Sequence, residues 1–222
     1  MRPRQLKTEG RCVLVYKASG TPLAGRPPIV LLHGQHQDHM QLASLGTVFE
    51  PDTVTYALRA PRVQTDGQNV VGHYWYYGDS LCTPEASTLG DSLYQVERFL
   101  LDRAEGDAAQ AQRFILIGID QGGVLALTLA GVWPELIQAV IAIDACLPAI
   151  PAEANLAQGD VTDMPVLLVR HTQSHGVLAD TARALASRRA AVKTVVANHW
   201  TTAVELREFI ASQLSATTEL NS

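Results

Sequence analysis

The feature that most constrains the fold of this chain is the stretch from Phe114 to Ala130. Phe114-Ile115-Leu116-Ile117 is an apolar run of strand length, and a helical apolar pattern begins just after Gly123. Between them lies Gly118-Ile119-Asp120-Gln121-Gly122-Gly123, a turn of the form G-x-D-x-G. A strand that passes so abruptly into a helix needs residues without side chains where the two backbones meet. Such a turn lifts its central side chain, here Asp120, above the end of the strand.

The rest of the composition sets broad limits. A chain of 222 residues has the length of one large domain. A hydrophobic fraction of 47% against 18% charged residues provides for a good-sized core. The net charge of −5 offers no basic patch, which argues against a nucleic-acid partner. Cys12, Cys82 and Cys146 are scattered and lack C-x-x-C spacing, so free thiols of a reducing compartment are expected over the alternative of one disulfide and a spare thiol. The charged start, Met1-Arg2-Pro3-Arg4-Gln5-Leu6-Lys7, lacks the apolar core of a signal peptide. No apolar run approaches the roughly 20 residues of a membrane span. A cytoplasmic protein is the expectation.

Taken in order, Cys12–Tyr16 reads as a first strand, closed by turn-rich residues around Gly20 and Gly25. Ile29-Val30-Leu31-Leu32 is continuously apolar, as a strand buried on both faces should be. Val54–Leu58 reads as another inner strand, and the chain from Val63 to about Ser87 reads as an irregular loop. A connection of that length in a small domain is usually functional. Leu89–Arg103 has helical spacing of Leu93, Val96, Phe99 and Leu100. Further strands are expected at Val140–Ile143, Val166–Val169 and Val192–Val196, with helices at Ala179–Arg189 and Val204–Leu214. Strands alternating with helices imply right-handed crossovers and a mostly parallel sheet. With no repeat and no low-complexity linker, residues 1–222 read as a single α/β domain.

The residues His33-Gly34, Leu58-Arg59-Ala60-Pro61, Tyr74-Trp75-Tyr76, Gly118-x-Asp120-Gln121-Gly122-Gly123 and Leu147-Pro148, in that order, resemble one family. It is the small carboxylesterase/phospholipase group of α/β-hydrolases, which includes the acyl-protein thioesterases. The likeness runs from Pro28 to Leu214 and implies an α/β-hydrolase fold without a full cap domain. Two departures stand out. Asp120 occupies the place of the family's nucleophilic serine, and Ser174 that of its acid. Asn198-His199-Trp200 keeps a histidine where the family carries its catalytic one.

The chemistry follows from these residue types. The first turn of a helix favours a negative charge, and Asp120 would stand there. A carboxylate that attacks an ester carbonyl forms an anhydride, with nothing gained over direct hydrolysis. When it attacks a saturated carbon, as in an epoxide or alkyl halide, it forms an ester that histidine-activated water can cleave. The resemblance makes His199 the general base, and Asp144, beyond the strand 140–143, a candidate to orient it; a plain turn aspartate is the alternative. Gln35 and Gln121 would supply backbone N–H groups to an oxyanion hole. His33, His36, Tyr74, Trp75, Tyr76 and Ser174 are expected to line the substrate site, with aromatics that merely pack the loop as the alternative for Trp75 and its neighbours. Gln121 stands where dehalogenases carry a tryptophan, which argues against dehalogenation. His36, Asp38 and His39, or His171 and His175, lack a matching third ligand for a metal. The expectation is a small-molecule hydrolase with no cofactor, no metal and no membrane or nucleic-acid partner. A non-hydrolytic isomerase, lyase or cyclase, an inactive pocket-binding homologue and a homodimer all stay open.

Overall fold

The computed structural model describes residues 14–21, 23, 25–43, 53–104, 113–149, 158–172, 178–197 and 204–219. Its centre is a seven-stranded sheet of β1 (Tyr16–Ser19), β2 (Ile29–Leu32), β3 (Thr55–Leu58), β8 (Phe114–Ile119), β9 (Ile137–Ile143), β10 (Pro165–His171) and β11 (Ala191–Ala197). The strand order is β1-β3-β2-β8-β9-β10-β11. Only the β1 pairing with β3 is antiparallel; every other pairing in this sheet is parallel.

The apolar strands are buried on both faces because helices cover both. Ile29, Leu31, Ile115, Ile117, Ile141 and Ile143 point to one side, where they meet Leu42 of α1 (His39–Ala43) and Leu206 and Ile210 of α5 (Val204–Glu219). Their alternates Val30, Leu32, Leu116, Val140 and Ala142 point the other way. There they pack on α2 (Ala86–Ala104) and α3 (Gln121–Val132), with Leu185 of α4 (Leu178–Ser187) in the same cluster. The period-two alternation of a strand therefore serves two cores. Helix α3 is buried at every position from Gln121 to Gly131, so it carries no polar face.

Three expectations are corrected here. The first strand begins at Tyr16, where it was expected to end. Leu14 and Val15 are outside the strand, and residues 12 and 13 lie outside the described residues. The stretch from Val63 to Ser87 is not an irregular loop. It holds the hairpin β4–β5 (Arg62–Asp66 and Asn69–Tyr74), the small hairpin β6–β7 (Gly78–Ser80 and Thr83–Pro84) and the first turn of α2. Finally, Cys82 and Cys146 are not free thiols but a disulfide, with Cα atoms 5.9 Å apart. Among the described residues, no helix is long and apolar enough to cross a membrane.

Candidate active site

Asp120 follows the last residue of β8 and precedes the first of α3. Its backbone has φ 50° and ψ −119°, a conformation that costs a non-glycine residue about 1–3 kcal/mol and persists only where its surroundings impose it. Here the imposing contacts are visible. A Cβ on Gly122 would sit 2.2 Å from the Leu32 carbonyl oxygen, and one on Gly118 would sit 2.2 Å from the carbonyl oxygen of Gly122. The carbonyl of Asp120 accepts from the N–H groups of Gly123 and Val124 (2.9 and 3.0 Å), which starts the helix. Its side chain makes no capping bond to that helix. Instead Oδ2 accepts the backbone N–H of Gln35 at 2.9 Å, across 85 residues of sequence.

The loop that brings Gln35 there is held from below by His33, which is fully buried. His33 Nδ1 donates to the Gly34 carbonyl (2.7 Å) while Nε2 accepts the Ala60 N–H (2.9 Å). These two bonds fix one neutral tautomer. Burial lowers its pKa to about 4, against a smaller opposing effect of the Gly34 bond. The indole N–H of Trp75 donates to the His33 carbonyl (2.8 Å). The Trp75 N–H in turn donates to Gln121 Oε1 (2.9 Å), and Gln121 Nε2 donates to the Tyr76 carbonyl (3.0 Å). The Tyr76 hydroxyl donates to the Leu81 carbonyl at 2.7 Å. Burial, with the Asp120 carboxylate adding to it, pushes that hydroxyl's pKa far up.

His33, Trp75 and Tyr76 were expected to face a substrate. Their exposures of 0%, 0% and 1% leave no surface to offer one, and their polar atoms are already bonded within the fold. They form the wall that supports the loop. Tyr74 is also buried, its ring 4.9 Å from that of Tyr77. Burial and the neighbouring Tyr77 push its hydroxyl up to about 12.

His36 is exposed and adopts φ 60°, one residue beyond the Gln35 donor. The β4–β5 hairpin fastens this part of the loop: His36 N–H donates to the His73 carbonyl (3.1 Å) and His73 N–H to the Gln37 carbonyl (2.9 Å). The approach is so close that a Cβ on Gly72 would lie 2.4 Å from His36 backbone atoms. Beside it, Asp38 carries His39 Nδ1 at 2.6 Å and His73 Nδ1 at 3.3 Å. Burial pushes the Asp38 carboxyl upward, but the Met40 N–H and the imidazoles of His39, His73 and His33 outweigh this and hold it below its ordinary range. His73 is lowered chiefly by burial, then by Arg59. Neither this group nor any other cluster among the described residues brings together three or more side chains able to hold a metal.

Asp144 follows the end of β9, the strand next to β8, with Ile119 and Ile143 in register. The two aspartates therefore follow the ends of neighbouring strands. Asp144 adopts φ 49°, and its Oδ1 accepts the His171 N–H at 2.8 Å. His199 and Ser174 lie outside the described residues. Strand β11 ends at Ala197, in parallel register with His171 of β10. Reasoning from sequence missed the side-chain role of Gln121 and the Cys82–Cys146 bond. The first could have been sought in a buried amide beside the elbow, but nothing in the cysteine spacing signalled the second.

No family model matches this sequence, and no curated protein matches it. Solved structures do. Esterase PE8 superimposes with a TM-score of 0.70 at 23% identity, over 94% of this chain and 98% of that one. The carboxylesterase from Mesorhizobium loti gives 0.67 at 18% identity, over 94% and 95%. The phospholipase/carboxylesterase from Dyadobacter fermentans gives 0.68 at 19%, over 91% and 97%. Together with the parallel sheet, the flanking helices and the strained strand-to-helix turn, these likenesses show that the chain has the α/β-hydrolase fold.

Proposed function

We propose that the protein is a small-molecule hydrolase in which Asp120 is the nucleophile, acting on an epoxide-like or otherwise activated alkyl carbon. The observation that carries this reading is the hydrogen bond from Gln35 N–H to Asp120 Oδ2. It ties down one carboxylate oxygen and leaves Oδ1 to attack. Attack on an epoxide carbon breaks its C–O bond, leaves an ester on Oδ1 and gives an alkoxide that takes a proton from water. Water deprotonated by His199 then adds to Cγ of that ester. The negative charge develops on Oδ2, where the Gln35 N–H already waits. Collapse breaks the Cγ–Oδ1 bond, the departing oxygen takes the proton from His199 to give the diol, and the new carboxyl gives its proton to the hydroxide left by the first step. The donor needs no rearrangement between ground state and hydrolytic step.

The test is a His199→Ala variant incubated with a panel of epoxides and activated alkyl compounds. Intact mass should rise by one substrate, peptide mapping should place the adduct on Asp120, and Asp120→Asn should not label. A folded His199→Ala protein that stays unlabelled across the panel overturns the reading, as does robust hydrolysis of nitrophenyl esters by the wild type. The esterase names of the structural neighbours favour a second reading, in which an ester is cleaved by water with Asp120 as base. A single turnover in ¹⁸O-water separates the two. Covalent catalysis puts the heavy oxygen into Asp120 first, and direct attack puts it into the product.

A further inference from the structure

We propose that Cys82 and Cys146 form a redox-reversible clamp on the wall of the candidate site, closed as the disulfide and opened by a dithiol reductant. The bond joins the turn of the β6–β7 hairpin to a residue two positions beyond Asp144. The hairpin's strands are three and two residues long, and Gly78–Ser80 is exposed throughout. A two-stranded ribbon of that size has little stability of its own in water. Its ties to the body include the disulfide, the Ala149 N–H bond to the Cys82 carbonyl (2.9 Å), the Tyr76 hydroxyl bond to Leu81 (2.7 Å) and the packing of Leu81 and Cys82 against the main core. The Tyr76 tie continues inward, because the Tyr76 carbonyl is held by Gln121, the neighbour of Asp120. A short chain of contacts, through Leu81, Tyr76 and Gln121, thus links Cys82 to the elbow.

The two sulfurs are unequally placed. Cys146 is 1% exposed, whereas Cys82 is half-buried. An incoming thiolate reaches Cys82 Sγ, and Cys146 leaves as the thiolate and takes up a proton. The second thiol of the reductant then attacks the mixed disulfide and departs as a cyclic disulfide, releasing Cys82 as a thiol. Two electrons and two protons pass from the dithiol to the pair. Once parted, the segments around Cys82 and Cys146 keep, among the described residues, the Ala149 N–H bond to the Cys82 carbonyl, and the hairpin frays. The clamp is independent of the chemistry assigned to Asp120.

The experiment uses the full chain with Cys12→Ser, so that one thiol cannot confuse the count. Non-reducing peptide mass analysis should find Cys82 linked to Cys146. Amide hydrogen exchange is then followed with and without dithiothreitol. Exchange over residues 76–85 and at Ala149 should accelerate about tenfold or more on reduction, while β8 stays protected, and reoxidation should reverse the change. The Cys82→Ser/Cys146→Ser protein should show the fast pattern without reductant and no response to it. Absence of the linkage, unchanged exchange after full reduction, or loss of protection throughout β8 would each overturn the proposal. The last result would make the bond a staple of the whole fold.

Discussion

The side-chain amide of Gln121 is bonded at both ends to the aromatic segment, accepting the Trp75 N–H at 2.9 Å and donating to the Tyr76 carbonyl at 3.0 Å. Gln121 is buried, so neither backbone group has water to fall back on. Gln121→Leu leaves both unsatisfied, at about 1–3 kcal/mol each. Urea unfolding should report a loss of about 2–5 kcal/mol. A loss below about 0.5 kcal/mol would show that the amide does not rivet the segment to the elbow.

A serine at the elbow should give the chain esterase activity. Asp120→Ser is expected to hydrolyse nitrophenyl acetate well above the uncatalysed rate, and Asp120→Ser/His199→Ala to lose that gain. The Gln35 N–H that now meets Asp120 Oδ2 would be free to meet a substrate oxyanion. An inert, folded Asp120→Ser protein would mean that the histidine or the hole is not assembled for acyl transfer.

Two glycines in different surroundings separate space from backbone strain. At Gly122 a methyl group would collide with the Leu32 carbonyl, so Gly122→Ala should cost more than about 3 kcal/mol or prevent soluble expression. Gly67 has φ +59° and open space where a Cβ would stand, so Gly67→Ala should cost only the left-handed backbone penalty of about 1–2 kcal/mol. Equal losses in chemical unfolding would refute the crowding at Gly122.

Acid should weaken the fold before the carboxylates titrate. His33 has a folded pKa of about 4 against 6.5 when exposed, so below pH 6.5 the unfolded chain binds the proton more readily. Its contribution is complete above pH 6.5, falls as pH drops from 6.5 toward 4, and is level below that. The full span corresponds to about 3 kcal/mol. His73, also lowered, acts in the same direction. Urea midpoints measured from pH 7 to pH 4 should fall, and His33→Asn should flatten the slope. A flat wild-type profile over that range would rule out the buried neutral imidazole.

The parts of this fold that depend on short-range pattern were legible. Ile29–Leu32 appears as a strand because four consecutive apolar residues need two cores, and α2 because Leu89, Leu93, Val96 and Leu100 recur at helical spacing. The β4–β5 hairpin escaped because Val63, Val70 and Val71 are exposed and form no buried alternation. The dipeptide Asp66-Gly67, the end of β4 and the first residue of its two-residue turn, was the signal to follow. At the site, Asp120 and Gln35 could be named from motif position. That His33 and Trp75 are structural could not be, since the same residue types suit a pocket lining or a buried bracket, and only burial decides. The Cys82–Cys146 pairing spans a separation of 64 residues, and no local rule reaches that far.

The elbow's backbone is dictated by contacts between Gly118, Gly122 and the end of β2, none of which involve the side chain at position 120. Among the described residues, that side chain is bonded to the exposed Gln35 N–H. Position 120 is therefore a socket, into which different reacting groups fit at little cost to the fold around it. Replacing the side chain at that position would leave the architecture standing.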